Sequence, residues 1–215
     1  MANPHIQAIF FDFGGVLLKH ADGIDHPAIE AALGLEEKTL WNCLYRESRY
    51  TELHIGRCTH DEWIASVRAA AVRRVGEKAE ALMDAWRNSE RALNWDMIGL
   101  VKSLRGAGYR TGIISNTIPG LDERLREEDS RQPPERRIAP LFDVRVGSGD
   151  LGIAKPDAGI FEHAVSLMDV PLEASVFTDD FSKYAEAACA LGMHGFHFTG
   201  YEQFVQDLRT LGIGC

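Results

Sequence analysis

The run from Ile6 to Phe11 is almost wholly apolar, stops at Asp12, and is followed by Gly14 and Gly15. A short apolar run closed by turn residues predicts a strand buried on both faces of a parallel sheet. From His20 to about Asn94 the spacing of apolar positions changes to that of helices. "HPAIEAALG" sets Ile29, Ala32 and Leu33 on one side and stops at Gly34, and "EEKTLWNCLYRES" aligns Leu40, Cys43 and Leu44. "THDEWIASVRAAAVRRV" opens with Thr59 three residues before Glu62, the spacing of a capping box. "AEALMDAWRNSERAL" predicts a fourth helix.

After Trp95 helices and strands alternate to the end of the chain. "DMIGLVKSLRGAG" predicts a helix, "TGIISN" a strand, "LFDVRVGS" a strand, and "PDAGIFEHAVSLM" a helix entered through Pro156. "ASVFTDD" and "HGFHFT" predict two more strands, followed by helices over "SKYAEAACALG" and "EQFVQDLRTLG", respectively. Such alternation implies right-handed βαβ units. The expected fold is α/β, a Rossmann-like three-layer core around a parallel sheet with a helical cap inserted after the first strand. The expected boundaries are 1–18 and 96–215 for the core and 19–95 for the cap, with hinges near Leu18 to Asp25 and Leu93 to Asp96. Arg124 to Pro140, charged and carrying consecutive prolines, is expected to be an irregular surface excursion.

Composition narrows the functions. A chain of 215 residues, 45% hydrophobic and 26% charged, has enough apolar material for a core. Its net charge of −9 argues against an extended footprint for nucleic acid or an anionic membrane. The Ile6 to Leu18 stretch, broken by Asp12 and glycines and without a basic leader, predicts neither a signal peptide nor a membrane span. Cys43, Cys58, Cys189 and Cys215 are widely separated and form no CxxC pair, which fits reduced thiols in the cytoplasm.

Three predicted strands end in reactive side chains: Asp12, then Ser115 with Asn116, then Asp179 with Asp180. Ligands of open parallel sheets bind beyond the carboxyl ends of the strands, so these groups are expected to converge. "GIAKPD" adds Lys155 in a loop before a helix. Any one of these residues alone reads as turn or capping chemistry. Their joint placement is what points to a site.

In this order, "FFDFGGVLL", "IISNT", "GIAKPD" and "VFTDDFSKYAEAACALGMHGFHFT" resemble the four motifs of the haloacid dehalogenase-like (HAD) hydrolase superfamily, in its helical-cap, subfamily IA-like phosphatase branch. The resemblance implies a phosphohydrolase that uses Mg²⁺ and acts on a small phosphorylated metabolite. It assigns Asp12 as nucleophile, Lys155 as catalytic and phosphate-binding cation, Ser115 and Asn116 as phosphate ligands, and Asp12, the Gly14 carbonyl, Asp179 and Asp180 as the metal site. Gly56 and Arg57 occupy the position of a substrate-contacting cap loop. The chemistry is consistent: a carboxylate attacks a phosphate dianion only when cations drain its charge, and clustered carboxylates suit a hard divalent ion.

Gly14 departs from the pattern, since typical phosphatases of the superfamily carry there a second Asp that protonates the leaving group. The expected consequence is a preference for good leaving groups, such as anomeric sugar or acyl phosphates, with His20 or a cap residue as another source of the proton. Two alternatives stay open: metal-free dehalogenation at carbon, to which the Asp179–Asp180 pair is a poor match, and a phosphate-binding or regulatory protein without turnover. His194 and His197 fall on opposite faces of their strand and are expected to be structural, while Trp41, Trp63 and Trp86 are expected to pack the cap.

Overall fold

The computed structural model describes residues 6–20, 22–130 and 132–214. A parallel five-stranded sheet in the order β3-β2-β1-β4-β5 forms its centre. The strands are β1 Ala8–Phe11, β2 Arg110–Ser115, β3 Val144–Gly147, β4 Ser175–Asp179 and β5 His194–His197. The alternation of side chains along β1 divides the core. Ile9 and Phe11 join one apolar layer with residues such as Val101, Leu104 and Phe204, while Ala8 and Phe10 join the opposite layer with Phe161, Ala164 and Met168. Helices therefore cover both faces, and β1, fully buried, could only be apolar. The order of strands reverses on either side of β1, which makes its carboxyl end the switch point of the sheet.

Between β1 and β2 lie α1 His26–Ala32, α2 Thr39–Trp41 (which continues through a wider turn over Asn42–Arg46), α3 Tyr50–Leu53, α4 His60–Val75, α5 Ala79–Asn88 and α6 Trp95–Gly106. The elements before α6 enclose a third apolar cluster running from Ile24 to Trp86, with Leu40, Cys43 and Leu44 fully buried as their spacing predicts. Thr59 and Glu62 form the predicted capping box at the start of α4. The two chain segments joining this block to the sheet are tied to each other. Leu18 and Leu93 form an antiparallel bridge, Lys19 N–H donates to the Ala92 carbonyl at 2.9 Å, and Asn94 N–H donates to the Leu17 carbonyl at 2.8 Å.

After β2 come α7 Leu121–Ser130, α8 Ser148–Leu151, α9 Ala158–Met168, α10 Ser182–Ala190 and α11 Tyr201–Thr210. The expectation of an irregular excursion over 124–140 is corrected in two ways. Its first part belongs to α7, and its return is pinned by buried Asp129, which accepts N–H bonds from Ile138 at 2.9 Å and Ala139 at 2.6 Å. Ile138 and Ala139 thereby join the core layer under α6. Pro156 lies ahead of α9 in a cis peptide with Lys155, and Asp157 is the residue that caps the helix, accepting from Gly159 N–H at 2.8 Å. Cys215 lies outside the described residues. No helix is long and apolar enough to cross a membrane among the described residues.

Candidate active site

The carboxyl ends of β1, β2 and β4 bring the predicted polar residues together. Asp12 follows β1 directly, and its N–H donates to the Thr178 carbonyl of β4 at 2.9 Å. Its Oδ1 accepts from Phe13 N–H at 2.7 Å and stands 3.0 Å from Lys155 Nζ. Lys155 Nζ also lies 2.5 Å from Asp179 Oδ2, and the other oxygen of Asp179 accepts from Phe181 N–H at 2.9 Å. Asp12, Lys155 and Asp179 are all buried. An ammonium so enclosed would lose its proton by desolvation, but Asp12 and Asp179 outweigh that cost and hold the Lys155 pKa above its ordinary value.

The balance of charge is unfavourable for the acids. Oxygens of Asp12, Asp179 and Asp180 all lie within 4.8 Å of one another, and Lys155 is the cation in contact with the first two. Burial, followed by the charges of Asp12 and Asp179, pushes Asp180 up to about 7. Burial and then Asp12 push Asp179 up to about 6, against the pull of Lys155. Asp180 Oδ1 is shut off from solvent with no hydrogen-bond partner among the described residues. A buried acceptor without a partner is costly, and three crowded carboxylate oxygens are the donor set a hard divalent cation takes. The residues present therefore fit such an ion.

The two glycines after Asp12 differ in kind. Gly14 has φ −71° and ψ 135°, a backbone open to any residue, and retains its carbonyl for a ligand. Gly15 has φ +73°, and a Cβ there would come within 2.4 Å of Asp180 Oδ2. Gly15 thus makes room for the acidic cluster, while nothing in the backbone requires glycine at 14.

Ser115 is buried at the end of β2. The side chain of Asn116 is spent on the Lys155 loop: Oδ1 accepts from Lys155 N–H at 2.8 Å, and Nδ2 donates to the Lys155 carbonyl at 3.0 Å and to the Tyr184 hydroxyl at 3.3 Å. It positions the lysine across 39 residues of sequence. Gly56 lies where the helical block meets the sheet, its missing Cβ 3.2 Å from the Gly149 carbonyl, and Arg57 beside it is exposed. His20 contributes its carbonyl, which accepts from Gly15 N–H at 2.9 Å. His197 Nε2 lies 3.1 Å from the Asp180 carbonyl.

Residues that sequence reasoning passed over also reach this region. Asp22 pairs with His26 Nε2 at 3.0 Å and accepts from Trp86 Nε1 at 2.9 Å, fastening the entry segment to α1 and α5. Burial opposes its charge, but the His26 and Trp86 contacts leave its pKa below the usual carboxylate value. The Tyr50 hydroxyl donates to the Asn116 carbonyl at 3.2 Å, joining the helical block to the end of β2. Only the four-residue spacing of Asp22 and His26 signalled any of this in the sequence.

Residues 6–192 match the family model of the haloacid dehalogenase-like hydrolases. A sesquiterpene phosphatase, astK, from Aspergillus oryzae is 26% identical over 212 residues, covering 97% of each chain. A predicted HAD-like family hydrolase from Porphyromonas gingivalis superposes with a TM-score of 0.68 at 23% identity, covering 98% of this chain and 100% of its own. A HAD family enzyme from Bacteroides thetaiotaomicron, crystallised with magnesium and inorganic phosphate, superposes with a TM-score of 0.64 at 19% identity, covering 89% of this chain and 93% of its own.

Proposed function

Because the chain belongs to the haloacid dehalogenase-like hydrolase family, we propose that it is a Mg²⁺-dependent phosphatase of a small phosphorylated metabolite, working through an aspartyl-phosphate on Asp12. The observation that carries this reading is the cluster of buried Asp12 and Asp179 with half-buried Asp180 against Lys155, with an Asp180 oxygen left without a partner among the described residues. The sesquiterpene phosphatase relative, alike over nearly its whole length, supports phosphate-ester hydrolysis.

Asp12, Asp179, Asp180 and the Gly14 carbonyl hold the ion in this reading, which when bound neutralises the carboxylates and draws charge from the phosphoryl group. Lys155 and Ser115 receive the phosphoryl oxygens, and Asn116 acts as a positioning residue by fixing the backbone of Lys155. Oδ1 of Asp12 is engaged by Phe13 N–H and Lys155, so Oδ2 attacks phosphorus. The Asp12 O–P bond forms as the ester P–O bond breaks, and the leaving oxygen keeps the electron pair and takes a proton from water. Water then attacks phosphorus, releasing phosphate and restoring the Asp12 carboxylate. With glycine at 14 no carboxylic acid protonates the leaving oxygen, so alcohols that leave readily as anions are favoured. Residues 1–18 and 96–215 serve as the chemical core, and 19–95 as a cap that excludes water and selects the leaving group.

The test is phosphate release from acetyl phosphate with Mg²⁺ and with a chelator. Stimulation by the metal and loss of turnover by about a thousandfold or more in Asp12→Asn are the expected results. Turnover that survives chelation or Asp12→Asn overturns the reading.

A further inference from the structure

The helical block meets the charged cluster through a wall of rings. Trp41 and Tyr45 lie 4.3 Å apart between centroids, Tyr45 packs edge-on against Tyr50 at 4.8 Å, and Tyr50 edge-on against His54 at 4.7 Å. From the sheet side Phe181 and Tyr184, 5.7 Å apart, stand at the start of α10. The two sets join where Trp41 stacks on Phe181 at 6.3 Å with planes 28° apart. The wall reaches the site itself, because the Tyr184 ring lies 5.1 Å from Lys155 Nζ and Phe181 N–H is bonded to Asp179.

These rings are not packing alone. Trp63 and Trp86, in the core of the helical block, are 7% and 6% exposed, as cap packing requires. Trp41, Tyr45, Tyr50, His54 and Tyr184 are only half-buried, and Phe181 is 39% exposed. Aromatic surface left open beside a buried charge cluster is available for covering by a ligand. Its polar handles are largely taken. The Tyr50 hydroxyl donates to the Asn116 carbonyl, and the Tyr184 hydroxyl accepts from the Asn116 amide. His54 Nδ1 is shut off from solvent with no partner among the described residues, so it too is closed to a ligand. A sugar brings several hydroxyls that each need a partner on burial, and this wall is made chiefly of flat ring faces.

We infer that the leaving group is flat and apolar: the substrate class is the phosphate monoester of a phenol or comparable planar alcohol. The inference rests on the phosphatase reading above and deepens it. A phenolate departs without a proton, so the class also suits a site with glycine at 14. The sugar phosphates expected from the missing acid alone are thereby disfavoured, and aryl phosphates are preferred among good leaving groups.

Calorimetric titration of the intact protein with Mg²⁺ and either phenylphosphonate or methylphosphonate tests the wall without turnover. Phenylphosphonate is expected to bind about tenfold more tightly, a margin typical of covering a ring face. In Phe181→Ala, altered at the exposed end of the wall, and in Trp41→Ala the margin shrinks severalfold, and Trp41→Phe restores most of it. Turnover supplies the second arm, with kcat/KM for phenyl phosphate exceeding that for glucose 1-phosphate. Equal affinity for the two phosphonates, or a preference for the sugar phosphate, overturns the inference. Failure to hydrolyse acetyl phosphate counts against the phosphatase reading instead, since the phosphonate comparison does not depend on chemistry.

Discussion

The strand-end cluster and the ring wall are neighbours with opposite physics. In the cluster, carboxylates are pressed together beyond what Lys155 can neutralise, so Asp180 is pushed up to about 7 and Asp179 to about 6. In the wall, half-buried rings hold one another by edge and face contacts, and hydroxyls are spent on Asn116. The cluster is expensive to fold and can do chemistry; the wall is cheap to fold and can only recognise. Asn116 links them, because its side chain fixes the lysine of one and the tyrosine of the other.

Changing the two glycines one at a time is expected to shift turnover in opposite directions. Gly14→Asp, at an extended backbone position, is expected to raise kcat on poor leaving groups such as alkyl phosphates by about 10²-fold or more, by supplying the missing acid. Gly15→Ala drives a methyl group into the Asp180 carboxylate from a left-handed position and is expected to lower kcat/KM by about a hundredfold. Equal behaviour of the two variants would erase the distinction between a replaceable glycine and a required one.

Lys155→Met tests the cost of the cluster. It leaves buried Asp12 and Asp179 without their cation, and denaturant unfolding without metal is expected to show a loss of about 3–5 kcal/mol. An unchanged midpoint would mean that the acids find relief elsewhere.

A smaller, pH-dependent effect follows from the raised acids. The folded values for Asp180 and Asp179, about 7 and about 6, exceed the unfolded value of 3.8, so the folded state holds more protons across that range. Without metal, their contribution to stability is present at low pH and is lost as pH rises through about 6 to 7. A divalent ion bound by these carboxylates would expel those protons. The rise in Tm on adding Mg²⁺ is therefore expected to be larger near pH 8 than near pH 5.5, and a scan showing the reverse order would contradict the charge balance.

The smallest effect is expected in the helical block, away from the chemistry. Asp22→Ala removes the acceptor shared by His26 and Trp86 and should cost about 1–3 kcal/mol by thermal or denaturant unfolding. A loss as large as that of Lys155→Met would show that the block carries as much electrostatic strain as the cluster.

Much of this was legible in the chain before any fold was known. Short apolar stretches announced β1, β2 and β4, whose inner positions are covered on both faces, and the reactive residues stood visibly at their ends. The capping box of α4 was equally plain, since its partners are three residues apart. The pinning of 132–140 by Asp129 was not, because a charged, proline-bearing segment reads as exposed until one buried carboxylate collects its N–H groups.

What the sequence determined by itself is the arrangement of elements and the identity of the charged groups, both encoded in local spacing and residue type. What only the tertiary structure decided is which of them meet. Asn116 clamps a loop 39 residues away, and Trp41 finds Phe181 from across the sheet boundary. Gly15, already favoured by its left-handed backbone, is required twice over because Asp180 folds against it. Contacts of that range depend on how layers pack, and no periodicity along a chain records the distance between residues that packing brings together.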